Sequence, residues 1–284
     1  MTTAHALVTD IRELVSLPEA YLRIQGLMRD PQSSVDDFSR AVQNDPSLST
    51  RVLQVANSAF FGLSRKVETI SLAINLMGIS RLHDLVLATS MISTFSGLRV
   101  NEMDMTTFWR RSIHAGILAR MLAEECGIFD SERLFIGGLL HDIGHLVMYL
   151  RIPQPTLAAS IRSREQSRPL GDTETELLGF DYGDVGAELM RAWLFPESLQ
   201  EICRLHTNPA SARLFPHETA LVHLAQHVVA SGDPQPHSQP FVPPLDAIAL
   251  QLAGLGELAL RRVSAASEAP LAETLELLLP RRAA

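Results

Sequence analysis

The sequence predicts an all-α protein of two packed helical lobes, and three observations carry that prediction. Apolar residues recur at three- and four-residue steps through most segments, the period of a helix with one buried face. Strict alternation of apolar and polar residues, the mark of a half-buried strand, is nearly absent from the 284 residues. Pro, Gly, Ser and Asp fall between the periodic stretches, where helices start and stop.

The first periodic stretch, "SLPEAYLRIQGLMRDP", reads as a helix with Pro18 in its first turn and Pro31 just past its end. "SSVDDFSRAVQNDP" opens on a serine cap followed by first-turn carboxylates, and stops at Asn44-Asp45-Pro46. "PSLSTRVLQVANSAFFG" places Leu48, Val52 and Val55 on one face. "ETISLAINLMG" and "RLHDLVLATSMISTF" complete a group of short helices, and residues 1–105 form the N-terminal lobe.

From Thr106 the helices lengthen. "TTFWRRSIHAGILARMLAEECG" ends at Gly127, a residue suited to the left-handed position after a helix. "DSERLFIGGLLHDIGHLVMYLRIP" starts at an Asp/Ser cap and must finish before Pro153. Its middle is apolar nearly all round, so it is predicted as one continuous helix buried at the centre of a domain. Helices over about 154–167, 182–194, 197–206 and 217–230 complete a second lobe, 106–232. In residues 233–284, the prolines of "GDPQPHSQPFVPPLD" make an extended connector. Two closing helices follow, from Leu245 to about Val263 and from about Leu271.

Composition excludes several functions. With 24 Lys and Arg against 32 Asp and Glu, the net charge is −8, the wrong sign for sequence-independent binding to phosphates. Two cysteines, Cys126 and Cys203, are too few for a disulfide framework, which fits a reducing cytoplasm. "MTTAHALVTDIREL" lacks the basic and apolar blocks of a secretory signal, and charge interrupts every apolar run before the ~18 residues a membrane span needs. No nucleophile elbow or phosphate-binding loop occurs.

The chemistry concentrates in "GLLHDIGHLVM", where His141 and Asp142 interrupt an apolar stretch. If the two long helices form an antiparallel hairpin turning near residues 128–129, His114 lies about 14 residues before the turn and His141 about 13 after it, at nearly equal heights. Asp142 is turned about 100° from His141 along a helix. A His/His/Asp cluster suits Mn, Fe, Ni or Zn. A buried histidine bonded to a backbone carbonyl gives the same sequence signal. His145 repeats one turn beyond His141 and competes with Asp142 for the same point. His206 ends a helix, where the dipole favours a cation. His223 and His227 read as one buried and one surface residue; His5, His83, His217 and His237 read as exposed.

His114, then "HDIG" 27 residues later (141 − 114), then "GFDYGDVGAELMRAWLFPESLQEICRLHTNP" and "ALVHLAQHVV", resembles the HD superfamily. More narrowly, with "LPEAYLRIQGLMRDPQSSVDDFSRAVQNDPSLSTRVLQVANSAFFGLSRKVETISLAINLMGISRLHDLVLA", the chain is similar to the HDOD family, output-domain relatives of HD-type metal-dependent phosphohydrolases, over roughly residues 10–230. The resemblance implies an HD-like helical C-terminal lobe and a non-catalytic role in bacterial signal transduction, exerted through an unidentified signalling protein partner. The alternative it implies is a metal-dependent phosphohydrolase acting on a nucleotide or cyclic dinucleotide. The ligand set carried over is His114, His141, Asp142 and His206, holding one divalent ion (Fe, Mn, Ni or Zn). Departures weigh against hydrolysis. Tyr182 replaces a histidine, Leu205 precedes a single His206 where active relatives pair two histidines, Gln226 replaces an aspartate, and His145 replaces a lysine. For the partner, the adjacent Phe60 and Phe61 of "NSAFFGLSRKV" are the candidate contact, the alternative being that both pack internally.

Overall fold

A computed structural model describes residues 3–14, 17–58, 65–96, 98, 100, 103–128, 131–232, 241–242 and 244–279. The described residues are helical with no strand among them, as the periodicity predicts. They divide into two compact units: Met1–Leu14 with Arg99–Ser267, and Val15–Leu98 with Glu268–Ala284. This division departs from the sequence boundaries at 105 and 233. The first helix, α1 (Ala4–Leu14), joins the larger unit, and the closing helices are shared between the two.

The smaller unit holds α2 (Glu19–Met28), α3 (Val35–Gln43), α4 (Pro46–Ala56), α5 (Ile70–Met77) and α6 (Ile79–Ser96). Its helix starts are set by side chains. Ser34 and Asp37 form a reciprocal capping box on α3, and Asp45 Oδ1 accepts from Leu48 N at 3.0 Å on α4. Each such cap contributes about 1 kcal/mol. Phe60 and Phe61 lie outside the described residues, as does most of the proline connector.

The larger unit continues through α7 (Met105–Glu125), α8 (Ser131–Leu140), α9 (Ile143–Arg151), α10 (Pro153–Gln166), α11 (Leu170–Leu178), α12 (Tyr182–Ala192), α13 (Glu197–Leu205), α14 (Pro216–Gly232), α15 (Ala247–Ala253) and α16 (Glu257–Ala266). The last helix, α17 (Glu268–Leu278), returns to the smaller unit and packs on α4. In the larger unit, Leu118 and Leu122 of α7, Leu134 of α8, Leu221 and Leu224 of α14, and Leu260 and Val263 of α16 share one buried cluster. Burying each such side chain stabilises the fold by about 1.5–3 kcal/mol. Among the described residues no helix is long and apolar enough to cross a membrane.

The predicted hairpin forms, with α7 against α8. Its register is fixed where backbones nearly touch: a Cβ on Gly116 would lie 2.7 Å from Phe135 O, and one on Gly138 would lie 2.6 Å from Ala115 O. Three helix predictions are corrected. The stretch predicted as a single helix from the Asp/Ser cap to Pro153 breaks into α8 and α9, with His141 and Asp142 in the turn between them. Both halves are buried all round, so no interruption of the apolar pattern marks the break. The closing helix from Leu245 breaks at Gly254, which sits at φ 66. Residues 168–181, given no helix by the sequence reading, contain α11 between Pro169 and Gly179.

Candidate functional site

The break after α8 decides what His141 and Asp142 can reach. His141 is 4 % exposed, and its Nδ1–H donates back to Gly138 O at 2.6 Å. Its Nε2 is then an acceptor in a residue that lines a cavity of about 10 Å³ with Arg111, Ser112, Asp142, Gln226 and Val229. That is room for one water-sized occupant. Burial, first, and the charges of Arg111 and His145 hold the His141 pKa below its ordinary value, against the pull of Asp142 and the Gly138 bond.

Asp142 faces the other way as well. Its Oδ1 accepts from His145 Nδ1 at 2.6 Å, within the first turn of α9. On the far side of the ring, His145 Nε2 stands 3.5 Å from Glu174 Oε1, an ion-pair distance too long and too poorly aimed for a good hydrogen bond. The other Glu174 oxygen, Oε2, accepts from Tyr182 N at 2.9 Å. Tyr182 lays its ring on His145, centroids 3.7 Å apart at 22°, and its hydroxyl accepts from Gln226 Nε2 at 3.3 Å. His145 and Glu174 are both fully buried. Burial opposes the His145 cation, but the charge and hydrogen bond of Asp142, followed by Glu174, raise its pKa to about 10. Burial likewise opposes the Asp142 carboxylate, and His145 overrides it, holding that carboxyl well below the usual range. Asp142 and His145 are therefore charged and paired with each other at neutral pH, with Glu174 on the far side of the imidazole ring.

His206 donates from Nδ1 to Cys203 O at 2.7 Å. Its Nε2 is buried with no hydrogen-bond partner among the described residues. Burial and the neighbouring His141 push its pKa down to about 3, so that nitrogen is a bare acceptor. The His206 ring meets His141 edge-on, centroids 5.0 Å apart. His223 donates from Nδ1 to His206 O at 2.7 Å. His114 does not join them. Its Nε2 is 2.9 Å from Ser267 Oγ, and that hydroxyl spends its hydrogen on Ser264 O at 2.7 Å, so His114 is the donor. The matched heights of the hairpin were predicted, but the side chain points to the end of α16.

Of the four residues carried over as ligands, the structure brings His141, Asp142 and His206 together and sends His114 elsewhere. Among the described residues, no group of three or more His, Cys, Asp or Glu is placed to hold a metal ion. The chemistry agrees. The unpartnered His206 Nε2 suits a ligand, but Asp142 Oδ1 is committed to His145, and His145 as a cation has no lone pair to give. Arg111, 9 % exposed, brings a second cation to the cavity. A divalent ion there would face two positive charges, and the carboxylate nearest to it, Asp142, already shares its charge with His145. As folded, the residues do not fit the metal.

Sequence reasoning missed Arg111 and Glu174. Arg111 is one turn before His114 on α7 and had a signal, a cation inside an apolar helix. Glu174 had none, because its helix was not predicted. It also missed Asp181, which caps α12 by accepting from Asp184 N at 2.8 Å. Burial, first, raises the Asp181 pKa to about 6 against that cap bond, with Asp184 and Glu174 adding to the rise. A folded value above the unfolded one favours folding at low pH and is a liability as pH rises through 6. Asp181→Asn keeps the cap oxygen and removes the charge. It should raise stability by about 2 kcal/mol at pH 8 and leave it unchanged near pH 4, read by urea melts.

The chain matches the model of the HDOD domain over residues 14–209. An uncharacterised protein of Treponema pallidum (strain Nichols) is 26% identical over 209 residues, covering 72% of this chain and 40% of the relative's length. A candidate phosphohydrolase from Shewanella amazonensis SB2B is 27% identical, covers 96% of this chain and 98% of its own, and superposes with a TM-score of 0.75. An HDOD domain protein of unknown function from Geobacter sulfurreducens superposes with a TM-score of 0.77 at 19% identity, over 98% and 99% of the two chains. A candidate signal transduction protein from Marinobacter aquaeolei VT8 does so at 0.70 and 23% identity, over 95% of this chain and 60% of its own. The first of these relatives is more than twice as long as the stretch it shares, so the activities of whole proteins are not carried across. With the family model spanning more than half its length, this chain belongs to the HDOD domain family.

Proposed function

We propose that this chain is a non-catalytic bacterial signal-transduction module, cytoplasmic, that acts through protein–protein contact and keeps a degenerate HD site as an internal brace. The observation that carries this reading is the Asp142–His145 pair at 2.6 Å with Arg111 lining the same cavity. Hydrolysis at an HD site needs a metal-activated water. Here the carboxylate of the HD pair is spent on a neighbouring imidazolium, and positive charge is already supplied from within the chain. Gln226 and Tyr182 bond to each other rather than presenting charge, which supports the same reading. The unidentified partner is a signalling protein; the net charge of −8 speaks against nucleic acid.

The likeness to the Shewanella candidate phosphohydrolase favours the second reading, a metal-dependent hydrolase. A screen of nucleotides and cyclic dinucleotides, run with added Mn(II) and Fe(II), separates the two. The proposal expects turnover no greater than in an Asp142→Ala control. Turnover abolished by that substitution would replace the proposal with the hydrolase.

A further inference from the structure

Beside the HD site, the larger unit opens a cleft of about 580 Å³, a size typical of small-molecule sites. Its described lining is unusual in sign. Asp172, Asp181, Asp184 and Asp246 contribute carboxyls, and Arg204 is the basic side chain among them, held by Asp184 at 3.1 Å. Such an interior repels phosphate and attracts a cation. Acidic residues alone would mean little, since Asp181 and Asp246 also cap helices.

A second observation points to a ligand. His223 lines the cleft, is 8 % exposed, and spends Nδ1–H on His206 O, which leaves Nε2 as an acceptor with no partner among the described residues. Gln226 follows three residues later on the same face of α14 and is 9 % exposed. Its amide nitrogen goes to Tyr182 Oη, so its carbonyl oxygen is the group left to accept. The lining thus brings the acceptors of His223 and Gln226 together with four carboxylate residues, with Leu170, Phe241 and Pro244 as apolar surface. What complements it is several N–H donors on a positively charged, partly apolar body.

We propose that this cleft binds a small organic cation of the amine or guanidine class. The site lies wholly in the larger unit and does not depend on the HD site being inactive, so either conclusion can fail without the other. The test is calorimetric titration of the full chain with agmatine, with inorganic phosphate and adenosine monophosphate as anionic probes. Agmatine should bind saturably with Kd below about 1 mM, and neither anion should bind. Asp172→Asn, at an exposed position, and Asp181→Asn should each weaken agmatine by roughly tenfold while the circular dichroism spectrum is unchanged. Agmatine heats equal to dilution, saturable binding of either anion in its place, or agmatine affinity unchanged in both variants would overturn the proposal.

Discussion

His145→Ala lowers the melting temperature by roughly 10 °C at pH 7, the largest effect expected of any polar substitution in the larger unit. The loss follows from what the imidazolium neutralises. Removing it leaves the buried Asp142 and Glu174 without the imidazole that both face, and breaking one member out of a buried ionic set costs about 3–5 kcal/mol. The stack on Tyr182 goes with it. The pH dependence separates this account from simple loss of packing. The folded pKa of His145, about 10, is above that of a free imidazole, so its contribution is whole below about pH 6.5 and is lost as pH rises through 10. Asp142 is shifted downward, so its contribution is present above about pH 4 and lost as pH falls below it. The gap between wild type and variant is therefore widest from about pH 4 to 6.5 and narrows toward pH 10. A gap independent of pH in thermal melts across that range would assign the loss to packing alone.

Gly144→Ala abolishes folding of the larger unit. A Cβ at this position would stand 1.8 Å from Tyr182 O and 2.8 Å from Gly186 N, both backbone atoms of α12. Backbone cannot rotate aside as a flexible side chain can, so α9 must lift from α12, with loss of more than about 4 kcal/mol. That separation also pulls His145 from Tyr182. Gly26→Ala is the matched control. Nothing lies within 4 Å of its Cβ, and it should stabilise α2 by up to about 1 kcal/mol through helix propensity alone. Soluble expression and urea melts of the two variants read the contrast directly.

The glycine of "HDIG" is thus a packing residue, and this bears on what the sequence made legible. The helices with caps, such as α3 behind Ser34 and α4 behind Asp45, were readable because local chemistry marks their ends. The register of α7 on α8 was readable from chain length alone. The turn at His141–Asp142 was not, because an all-round buried helix keeps its apolar pattern through a change of direction. The same hidden turn explains the site. On a continuous helix Asp142 would point about 100° from His141 toward a shared metal. At the turn it lies at φ −100, ψ 7 and reaches forward to His145. The sequence makes His145 a competing ligand; its place between Asp142 and Glu174 depends on α11, a helix the sequence does not announce. His114 sat at the right height with the wrong rotation, and rotation about a helix axis depends on what α16 offers it, here Ser267.

In the proposed reading, the HD site is braced by its own cations, His145 and Arg111, rather than by a metal. That bracing is tested most directly by the metal content of the full chain, purified without chelators from cells supplemented with Fe, Mn, Ni and Zn. Far less than one equivalent of any of them per chain is expected, and the same low content in Asp142→Ala. About one equivalent that survives gel filtration and disappears in Asp142→Ala would contradict it.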